Sequence, residues 1–370
     1  MLYGIYKIAK KYKSFNQKSF NQKLGEFMIQ TEIKNKIGII YLDRPKALNA
    51  LNRQMIGKIE ETLKSWEKDS EIKAILFDSK SERGFCAGGD LKEIYVDYLK
   101  NDEAKDKDIF FKEEFALDKY IMTYPKPIIS HWFEVTMGGG IGLTIHSDLI
   151  IADETVNWAM PETSLGFVPD VGVGYFISKL PQAMGQYVGL LGARLYPDDL
   201  LSYGFCHMLI DSKDYGELVN RLMDMDADSE NLIEDFKEKV LDLNQLPKET
   251  KNTKNLEEIE KHFSEDGVEE IKNSLEVSDS DFAKESLAIL NNRDPFMLEV
   301  QFEKYFLGKK LTKQETIDLD LEIIKYGRKT GALEEGIRSV LIDKDKNPTW
   351  PTKSLEDVDH EEVDRLLGIK

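Results

Sequence analysis

The sequence has few cysteines, and none of them stands in a pattern that binds metal. Among 370 residues the only cysteines are Cys86 and Cys206, without a CxxC pair or a Cys/His cluster. Two cysteines cannot build a disulfide framework, and structural zinc sites need closely spaced Cys and His ligands. We therefore expect no metal site and a protein of a reducing compartment.

Long apolar runs are also missing, and the 50 basic residues are outnumbered by 68 acidic ones. No apolar run reaches the roughly 20 residues that a membrane-spanning helix needs, so we expect no membrane partner. The formal net charge is −18. Because Lys and Arg supply most of the affinity for phosphates, this charge disfavours nucleic acid and anionic membrane surfaces as partners. It does not exclude a local basic pocket.

The first 28 residues (1–28) form a basic extension of low complexity. Residues 1–25 contain lysine but no acidic residue and no arginine, and KSFNQ occurs twice in tandem at 13–17 and 18–22. We expect this extension to be disordered or to act as a leader. Mitochondrial transit peptides favour Arg and Ser. The expectation is therefore a cytoplasmic protein of a bacterium, with the mitochondrial matrix as the alternative.

The pattern of apolar residues changes after the extension and predicts an α/β fold. Alternation at 37–42 predicts a strand, helical spacing over 51–66 predicts a helix, and 72–77 indicates a buried strand. A further helix over 110–124 and a strand over 126–132 follow. With 41% apolar residues, the chain can bury a large core in one main domain with an appendage.

Two glycine-containing loops follow predicted strands. They are RGFCAGGDL (83–91) and TMGGGIGL (136–143). Ligands in α/β folds bind beyond the carboxyl ends of strands, where glycine permits a close approach of the backbone. Free N–H groups at the start of a helix also attract negative charge. From the residues alone, an ordinary turn is favoured for the first loop, and close helix packing is an equal alternative for the second.

Two acidic residues stand in an otherwise uncharged run after the second loop. Glu162 lies in MPET, and Asp170 lies in PDVG eight residues later. As structural elements, Glu162 would cap a helix and Asp170 would stabilise a turn. If the two carboxylates converge on one site, their repulsion should raise the pKa of one of them, as acid–base chemistry near neutral pH requires.

Taken together, these segments resemble the crotonase superfamily. The similar segments are RPKALNAL (44–51), FCAGGDL (85–91), TMGGGIGL (136–143), MPETSLGFVPDVGVGYF (160–176) and EEGIRSVLIDKDKNPTW (334–350). The last of them resembles the end of the thioester hydrolases in this superfamily. The resemblance implies an α/β fold with a crotonase-like core, a spiral of repeated ββα units, and a C-terminal helical region.

The resemblance and the composition together divide the chain after its extension. A catalytic core is expected over 29–222, a charged helical or linker region over 223–290, and a helical region that covers the core over 291–370. Charged residues with scattered Leu, Ile and Val dominate the middle region. This pattern is typical of exposed amphipathic helices.

Two backbone donors are implied by the resemblance. The N–H groups of Cys86 and Gly139 would polarise the carbonyl of an acyl-CoA thioester, because donors fixed where an oxyanion develops are often the largest catalytic contribution. A nucleophilic thiol at Cys86 is the alternative, although no histidine stands near it in sequence. Phe133-Glu134 replaces the His-Gly or Asn-Gly of the family, so we expect a different turn there and a shift of Gly139.

The resemblance also implies roles for the carboxylates. Glu162 is implied as the catalytic carboxylate, which attacks the thioester carbonyl or activates water, and Asp170 as its partner near the substrate hydroxyl. The sequence does not choose between these routes. Glu114 is implied as a substrate contact, with a solvated helix face as its plain alternative. The other implied substrate-binding residues are Ala87, Gly88 and Gly89.

Gly142 distinguishes between two activities within the superfamily. Enoyl-CoA hydratases carry a glutamate at this position, three residues after the middle glycine of the run. The resemblance therefore favours hydrolysis of a short branched 3-hydroxyacyl-CoA from valine breakdown. The alternatives are an enoyl-CoA hydratase or isomerase and a non-catalytic acyl-CoA-binding protein.

No cofactor is implied, because CoA is part of the substrate. The acyl-CoA is the expected partner, and a homo-oligomer is allowed.

Overall fold

The computed structural model describes residues 28–100 and 107–369. The expected extension at 1–28 therefore lies almost wholly outside the described residues. Within the described ranges, no helix is both long enough and apolar enough to cross a membrane.

A sheet of six strands lies at the centre of the described fold. Its order is β1-β2-β3-β4-β6-β8, with β1 antiparallel to β2 and the other neighbours parallel. A smaller parallel pair joins β5 to β7. The strands are β1 Ile29–Lys34, β2 Ile37–Leu42, β3 Ala74–Ser79, β4 Ile128–Trp132, β5 Val135–Met137, β6 Leu149–Asp153, β7 Asn157–Ala159 and β8 Met208–Ile210.

The first β-α-β unit confirms the strand and helix pattern of the sequence. The crossover helix α1 spans Arg53–Glu67 and connects the parallel strands β2 and β3. The side chain of Asn52 caps α1 by accepting a hydrogen bond of 3.0 Å from the Met55 N–H. The residues at helical spacing are buried against the sheet, namely Met55, Ile56, Ile59, Leu63 and Trp66.

Helices follow the strands and dominate the second half of the chain. In the core they are α2 Leu91–Lys100, α3 Ile109–Met122, α4 Gly139–Gly142, α5 Val173–Ile177, α6 Gln182–Leu191, α7 Pro197–Ser202 and α8 Tyr215–Met223. The later ones are α9 Leu232–Lys239, α10 Lys251–Lys254, α11 Leu256–Phe263, α12 Val268–Glu276, α13 Asp281–Leu290, α14 Pro295–Gly308, α15 Lys313–Thr330, α16 Ala332–Ile337 and α17 His360–Leu367.

The charged region 223–290 also contributes to the hydrophobic core. Its helices have one apolar face each, as the sequence predicts, and those faces are buried rather than exposed. Ile259, Phe263 and Ile271 are fully buried in the same hydrophobic cluster as the strand residues Ile40 and Phe77. Apolar burial of this kind is the main favourable contribution to folding. Helices α11 and α13 pack on α6, and α12 packs on α14, so this region connects the core to the C-terminal helices.

Three segments come together beside the small β5–β7 pair. The loop after β3 continues as an extended segment next to β5, with bridges that pair Gly84 with Glu134 and Cys86 with Thr136. On the other side of β5, β7 leads into a short 3-10 helix, Glu162–Leu165. The fold therefore places the two glycine loops and the Glu162 segment at one location.

Candidate active site

The backbone of the first glycine loop corrects one predicted donor. The N–H of Cys86 donates to the carbonyl oxygen of Val135 at 3.0 Å, and the Cys86 carbonyl accepts from the Met137 N–H at 2.9 Å. Cys86 is therefore part of a strand-like ladder with β5, and its N–H cannot serve a substrate oxygen. The prediction that Cys86 is a backbone donor was wrong.

The free N–H of this loop lies three residues later. The Ala87 N–H donates to the Leu48 carbonyl at 3.0 Å, and the Gly88 N–H donates to the Cys86 sulfur at 3.4 Å. Among the described residues, no acceptor is present for the N–H of Gly89. Gly88 has a φ of 95°, a conformation that favours glycine. The turn at Gly88 therefore leaves the Gly89 N–H unpaired.

The second glycine loop meets the first at this point. A side chain at Gly88 would lie 3.3 Å from the Gly139 nitrogen, and a side chain at Gly139 would lie 3.4 Å from the Gly89 nitrogen. Gly139 is the first residue of α4, and within the described chain its N–H has no acceptor either. The two unpaired N–H groups thus border the same small space.

The side chains of two glutamates lie against the glycine run of the second loop. A Cβ atom at Gly139 would lie 2.1 Å from Glu114 Oε1, and one at Gly138 would lie 3.1 Å from Glu162 Oε1. Such contacts leave no room for a side chain at Gly139. The glycine run therefore permits a close approach of two carboxylates to the backbone, rather than serving helix packing alone.

The unusual Phe133-Glu134 turn keeps a glycine-like backbone. Glu134 has a φ of 43°, in the left-handed region that glycine favours. Its N–H donates to the Thr155 hydroxyl at 3.0 Å, and its carbonyl accepts from the Asn157 N–H at 2.6 Å. These bonds hold the non-glycine residue in place, and Gly139 still reaches Gly89 and Glu114.

Glu162 and Asp170 are both buried, with 4% and 5% of their surfaces exposed. Burial, followed by the charge of Asp170, raises the pKa of Glu162 well above its usual range. Burial, followed by the charge of Asp320, raises the pKa of Asp170 to about 8. Asp170 is therefore suited to exchange protons near neutral pH, whereas burial biases Glu162 toward its protonated form.

Glu114 lies in the same buried region rather than on a solvated helix face. It is 3% exposed, and its Oε1 has no hydrogen-bond partner in the described part of the chain. Burial raises its pKa well above the usual range, and the charges of Asp118, Asp170 and Glu162 raise it further. A buried polar atom without a protein partner is rare and indicates a functional site.

Asp118 is a carboxylate that the sequence analysis missed. It lies one turn after Glu114 on α3, is 1% exposed, and has an unpartnered Oδ2 among the described residues. Burial and the charge of Asp170 raise its pKa well above the usual range. The available signal was the i, i+4 spacing from Glu114, which places both residues on one helix face.

Val171 occupies the space beside Gly142. A side chain at Gly142 would meet Val171 Cβ at 2.4 Å and its Cγ2 at 2.7 Å. Val171 has a φ of 50°, which is a strained conformation for a β-branched residue. The strained turn thus directs the Val171 side chain to the position where a glutamate at residue 142 would need to lie.

The Cys86 thiol is unsuited to nucleophilic catalysis. It is fully buried and lies 3.2 Å from the Asn49 carbonyl oxygen. Burial raises the pKa of the thiol to about 12. Because the thiolate is the reactive form, the Cys86 sulfur is inert at neutral pH.

Two relatives are similar in sequence to almost the whole chain. The sequence is 35% identical over 333 residues to "3-hydroxyisobutyryl-CoA hydrolase, mitochondrial" of Xenopus laevis, with 88% of this chain and 85% of that protein covered. It is 33% identical over 336 residues to the human protein of the same name, with 90% and 86% covered.

Two solved structures have a similar fold over almost the whole chain. A carnitinyl-CoA dehydratase from Mycobacterium thermoresistibile has a TM-score of 0.82 at 29% identity, covering 92% of this chain and 96% of that one. An enoyl-CoA hydratase from Rhodobacter sphaeroides has a TM-score of 0.82 at 32% identity, covering 92% and 97%. The sequence profile of the enoyl-CoA hydratase/isomerase family matches residues 37–367. The resemblance seen in the motifs is thereby confirmed, and the chain belongs to the enoyl-CoA hydratase/isomerase family, within the crotonase superfamily.

Proposed function

We propose that this protein hydrolyses the thioester of 3-hydroxyisobutyryl-CoA, giving 3-hydroxyisobutyrate and free CoA in valine breakdown. The names of the Xenopus and human relatives describe this activity. The observation that carries the proposal is the packing of Val171 against Gly142. It leaves no room for the second carboxylate of a hydratase, whereas Glu162 and Asp170 are retained and buried together.

The thioester oxygen is bound by the N–H groups of Gly89 and Gly139 in this proposal. Both are unpaired among the described residues and border one space. As charge develops on the oxygen, fixed donors stabilise it, and loss of one such donor typically costs about 3 kcal/mol of transition-state stabilisation. Gly89 takes the place first assigned to Cys86.

In this proposal, Glu162 accepts a proton during the reaction and Asp170 donates one. In its ionised form, Glu162 takes a proton from water as the water oxygen attacks the thioester carbon. When the C–S bond breaks, protonated Asp170 donates its proton to the leaving sulfur, and the proton on Glu162 then restores Asp170. A pKa of about 8 keeps Asp170 largely protonated at neutral pH. Direct attack by Glu162 on the carbonyl remains the alternative route.

The remaining predicted residues would contact the acyl-CoA. Glu114 is placed beside Gly139, and Ala87 and Gly88 form the loop that carries Gly89. The proposal involves no metal or redox cofactor, since CoA is part of the substrate.

An assembly of identical chains and a cytoplasmic location remain predictions. The relatives' names indicate mitochondria, so fractionation of cells that express the full chain should decide the location.

An enoyl-CoA hydratase is the second candidate, because the two similar solved structures are named as a hydratase and a dehydratase. A thiol-release assay on a panel of acyl-CoA esters separates the two activities. We expect the wild type to release CoA from 3-hydroxyisobutyryl-CoA and not to hydrate crotonyl-CoA. Hydration without CoA release would overturn the proposal.

Amide variants test the two carboxylates in the same assay. Glu162→Gln and Asp170→Asn should each lower kcat by at least about 100-fold, as expected when general acid–base catalysis is removed. Glu299→Gln is the matched control, because Glu299 is also a buried carboxylate but lies on α14, outside the site. If Glu299→Gln lost as much activity, the losses would reflect folding rather than chemistry.

A further inference from the structure

Side chains from two C-terminal helices form hydrogen bonds with the backbone at both ends of the turn that carries Asp170. Lys304 on α14 donates from Nζ to the carbonyl oxygen of Pro169 at 2.5 Å. Asp320 on α15 accepts a hydrogen bond of 2.9 Å from the Gly172 N–H through Oδ2. The two side chains also pair with each other, with 2.5 Å between Nζ and Oδ1. One ion pair therefore contacts both backbone ends of a four-residue turn.

This ion pair is deeply buried. The Lys304 and Asp320 side chains are 2% and 0% exposed. A buried ion pair loses its hydration and usually adds little net stability compared with apolar residues of similar size. Its presence at this position is therefore poorly explained by stability alone. Positioning of the turn is the more specific explanation.

The turn itself needs support from outside. Between the two fastened ends lie Asp170 and Val171, and Val171 has a φ of 50°. A β-branched residue in that conformation is strained, and strain of this kind persists only where the surroundings impose it. The Lys304–Asp320 pair supplies contacts on either side of the strained residue. Relaxation of the turn would move both the Asp170 carboxyl and the Val171 side chain.

The pair also acts on Asp170 through its charges. The charge of Asp320 raises the pKa of Asp170, and the charge of Lys304 lowers it. The same two charges act on Glu162, in the same directions. The charged and titratable groups that influence this carboxyl cluster come from the 3-10 helix, α3, α14 and α15, and they are Glu162, Glu114, Asp118, Lys304 and Asp320.

We propose that Lys304 and Asp320 are positioning residues for thioester hydrolysis, which hold the backbone of the 169–172 turn so that the Asp170 carboxyl stays beside Glu162. The inference rests on the proposed function for its reaction. The two residues contact the turn rather than the substrate. They were not identified in the sequence because more than 130 residues separate each of them from the turn it contacts.

Single variants with opposite electrostatic effects test the proposal in the full-length protein. We expect Lys304→Met and Asp320→Asn each to lower kcat by about 10- to 100-fold, with a smaller effect on KM, because a small misplacement of a reacting group has effects of this size. The titration midpoint of Asp170, followed by carbon-13 NMR of labelled aspartate carboxyls and assigned with Asp170→Asn, should rise in Lys304→Met and fall in Asp320→Asn.

Tyr305→Phe is the matched control. Tyr305 neighbours Lys304 on α14, is 1% exposed, and donates a 2.8 Å hydrogen bond to the Leu180 carbonyl, away from the turn. It should leave kcat and the Asp170 midpoint unchanged. An equal loss of kcat in Tyr305→Phe, or folded Lys304→Met and Asp320→Asn proteins with wild-type kcat and midpoint, would overturn the proposal.

A double variant covers the case in which the single variants fail to fold. Lys304→Met with Asp320→Leu replaces the ion pair by apolar groups, which buried sites often tolerate. It should fold and still show the reduced kcat, and wild-type kcat would refute the positioning role. The NMR titration needs no turnover. A wild type that releases no CoA therefore refutes the proposed function separately, while the Asp170 midpoints still test the effect of the pair.

Discussion

Gly142 and Val171 act as a matched pair of residues. The glycine has no side chain, and the valine in its strained turn fills the volume that a side chain would need. Because of this contact, the packing of the site itself excludes a glutamate side chain at residue 142. A hydratase carboxylate cannot be restored by changing residue 142 alone, because the position is already occupied.

We expect Gly142→Ala to destabilise the protein by about 1–3 kcal/mol, the usual cost of overpacking a core. Val171→Gly in the same chain should recover much of that loss, since it removes the clashing atoms and suits the left-handed backbone. Chemical denaturation of both single variants and the double variant measures the coupling. Additive effects of the two changes would contradict the packing argument.

The pKa of Asp170 predicts the pH dependence of catalysis. Burial, followed by the charge of Asp320, raises this pKa to about 8. If protonated Asp170 donates to the leaving sulfur, kcat/KM should fall as the pH rises above about 8. Asp170→Asn should be slow and lack this fall, whereas Glu299→Gln should keep it. A rate that rises through pH 8 in the wild type but not in Asp170→Asn would mean that Asp170 works as a base.

At the scale of elements, helix α16 packs directly on the segment that carries Glu162. A side chain at Gly336 would lie 2.2 Å from the backbone of Leu165, and one at Gly166 would lie 2.2 Å from the Ala332 carbonyl oxygen. The two glycines allow backbone-to-backbone contact between α16 and the 3-10 helix. The C-terminal helices therefore support Glu162 as well as Asp170.

Gly336→Ala should reduce both stability and kcat, because the added methyl group must displace the 3-10 helix that carries Glu162. We expect a loss of stability of about 1–3 kcal/mol and a measurable fall in the rate of CoA release. Gly57→Ala is the control, since Gly57 lies inside helix α1 and nothing lies within 4 Å of the position that an added Cβ would take. It should stabilise the protein by about 0.5–1 kcal/mol and leave kcat unchanged. Equal effects of the two variants would contradict this role of α16.

Local patterns predicted the elements of the core better than the contacts between them. The strand at Ile37–Leu42 and helix α1 follow directly from apolar spacing, and the motifs identified the family. The donor at Cys86 was placed wrongly, because hydrogen bonds between this loop and β5 join residues about 50 apart in sequence. Lys304 and Asp320 were missed for the same reason, since no local pattern links them to the Asp170 turn.

On the scale of the whole molecule, burial raises the pKa of many carboxyl groups. The carboxyl groups with a raised pKa in the described part of the chain are Glu114, Asp118, Glu162, Asp170, Asp294, Glu299, Glu303, Asp320 and Glu334. All of them are buried except Glu303 and Glu334, which are half-buried. His131 also has a raised pKa through its carboxylate partners Asp153 and Asp78, although burial acts in the opposite direction. In every one of these groups the folded protein holds its proton more tightly than the unfolded chain does.

This excess of bound protons predicts that stability falls as the pH rises. A group with a raised pKa in the folded state contributes stability below its unfolded pKa and loses that contribution as the pH passes through the folded value. For Asp170 the loss extends to about pH 8. His146 acts in the opposite sense, because burial lowers its pKa to about 4. Its contribution is lost only as the pH falls below its unfolded value of about 6.5.

The interval from pH 6.5 to 8 therefore isolates the groups with raised pKa values. We expect Tm to fall across this interval, with a slope in unfolding free energy of about 1.4 kcal/mol per pH unit for each proton held in excess. Asp170→Asn cannot ionise and should show a shallower slope, while Glu257→Gln, at an exposed position, should keep the wild-type slope. Thermal unfolding of the three proteins in matched buffers measures the difference. A wild-type Tm that is constant or rises with pH would show that the buried carboxyl groups do not hold these protons, and the proton donor assigned to the thioester reaction would then be lost with them.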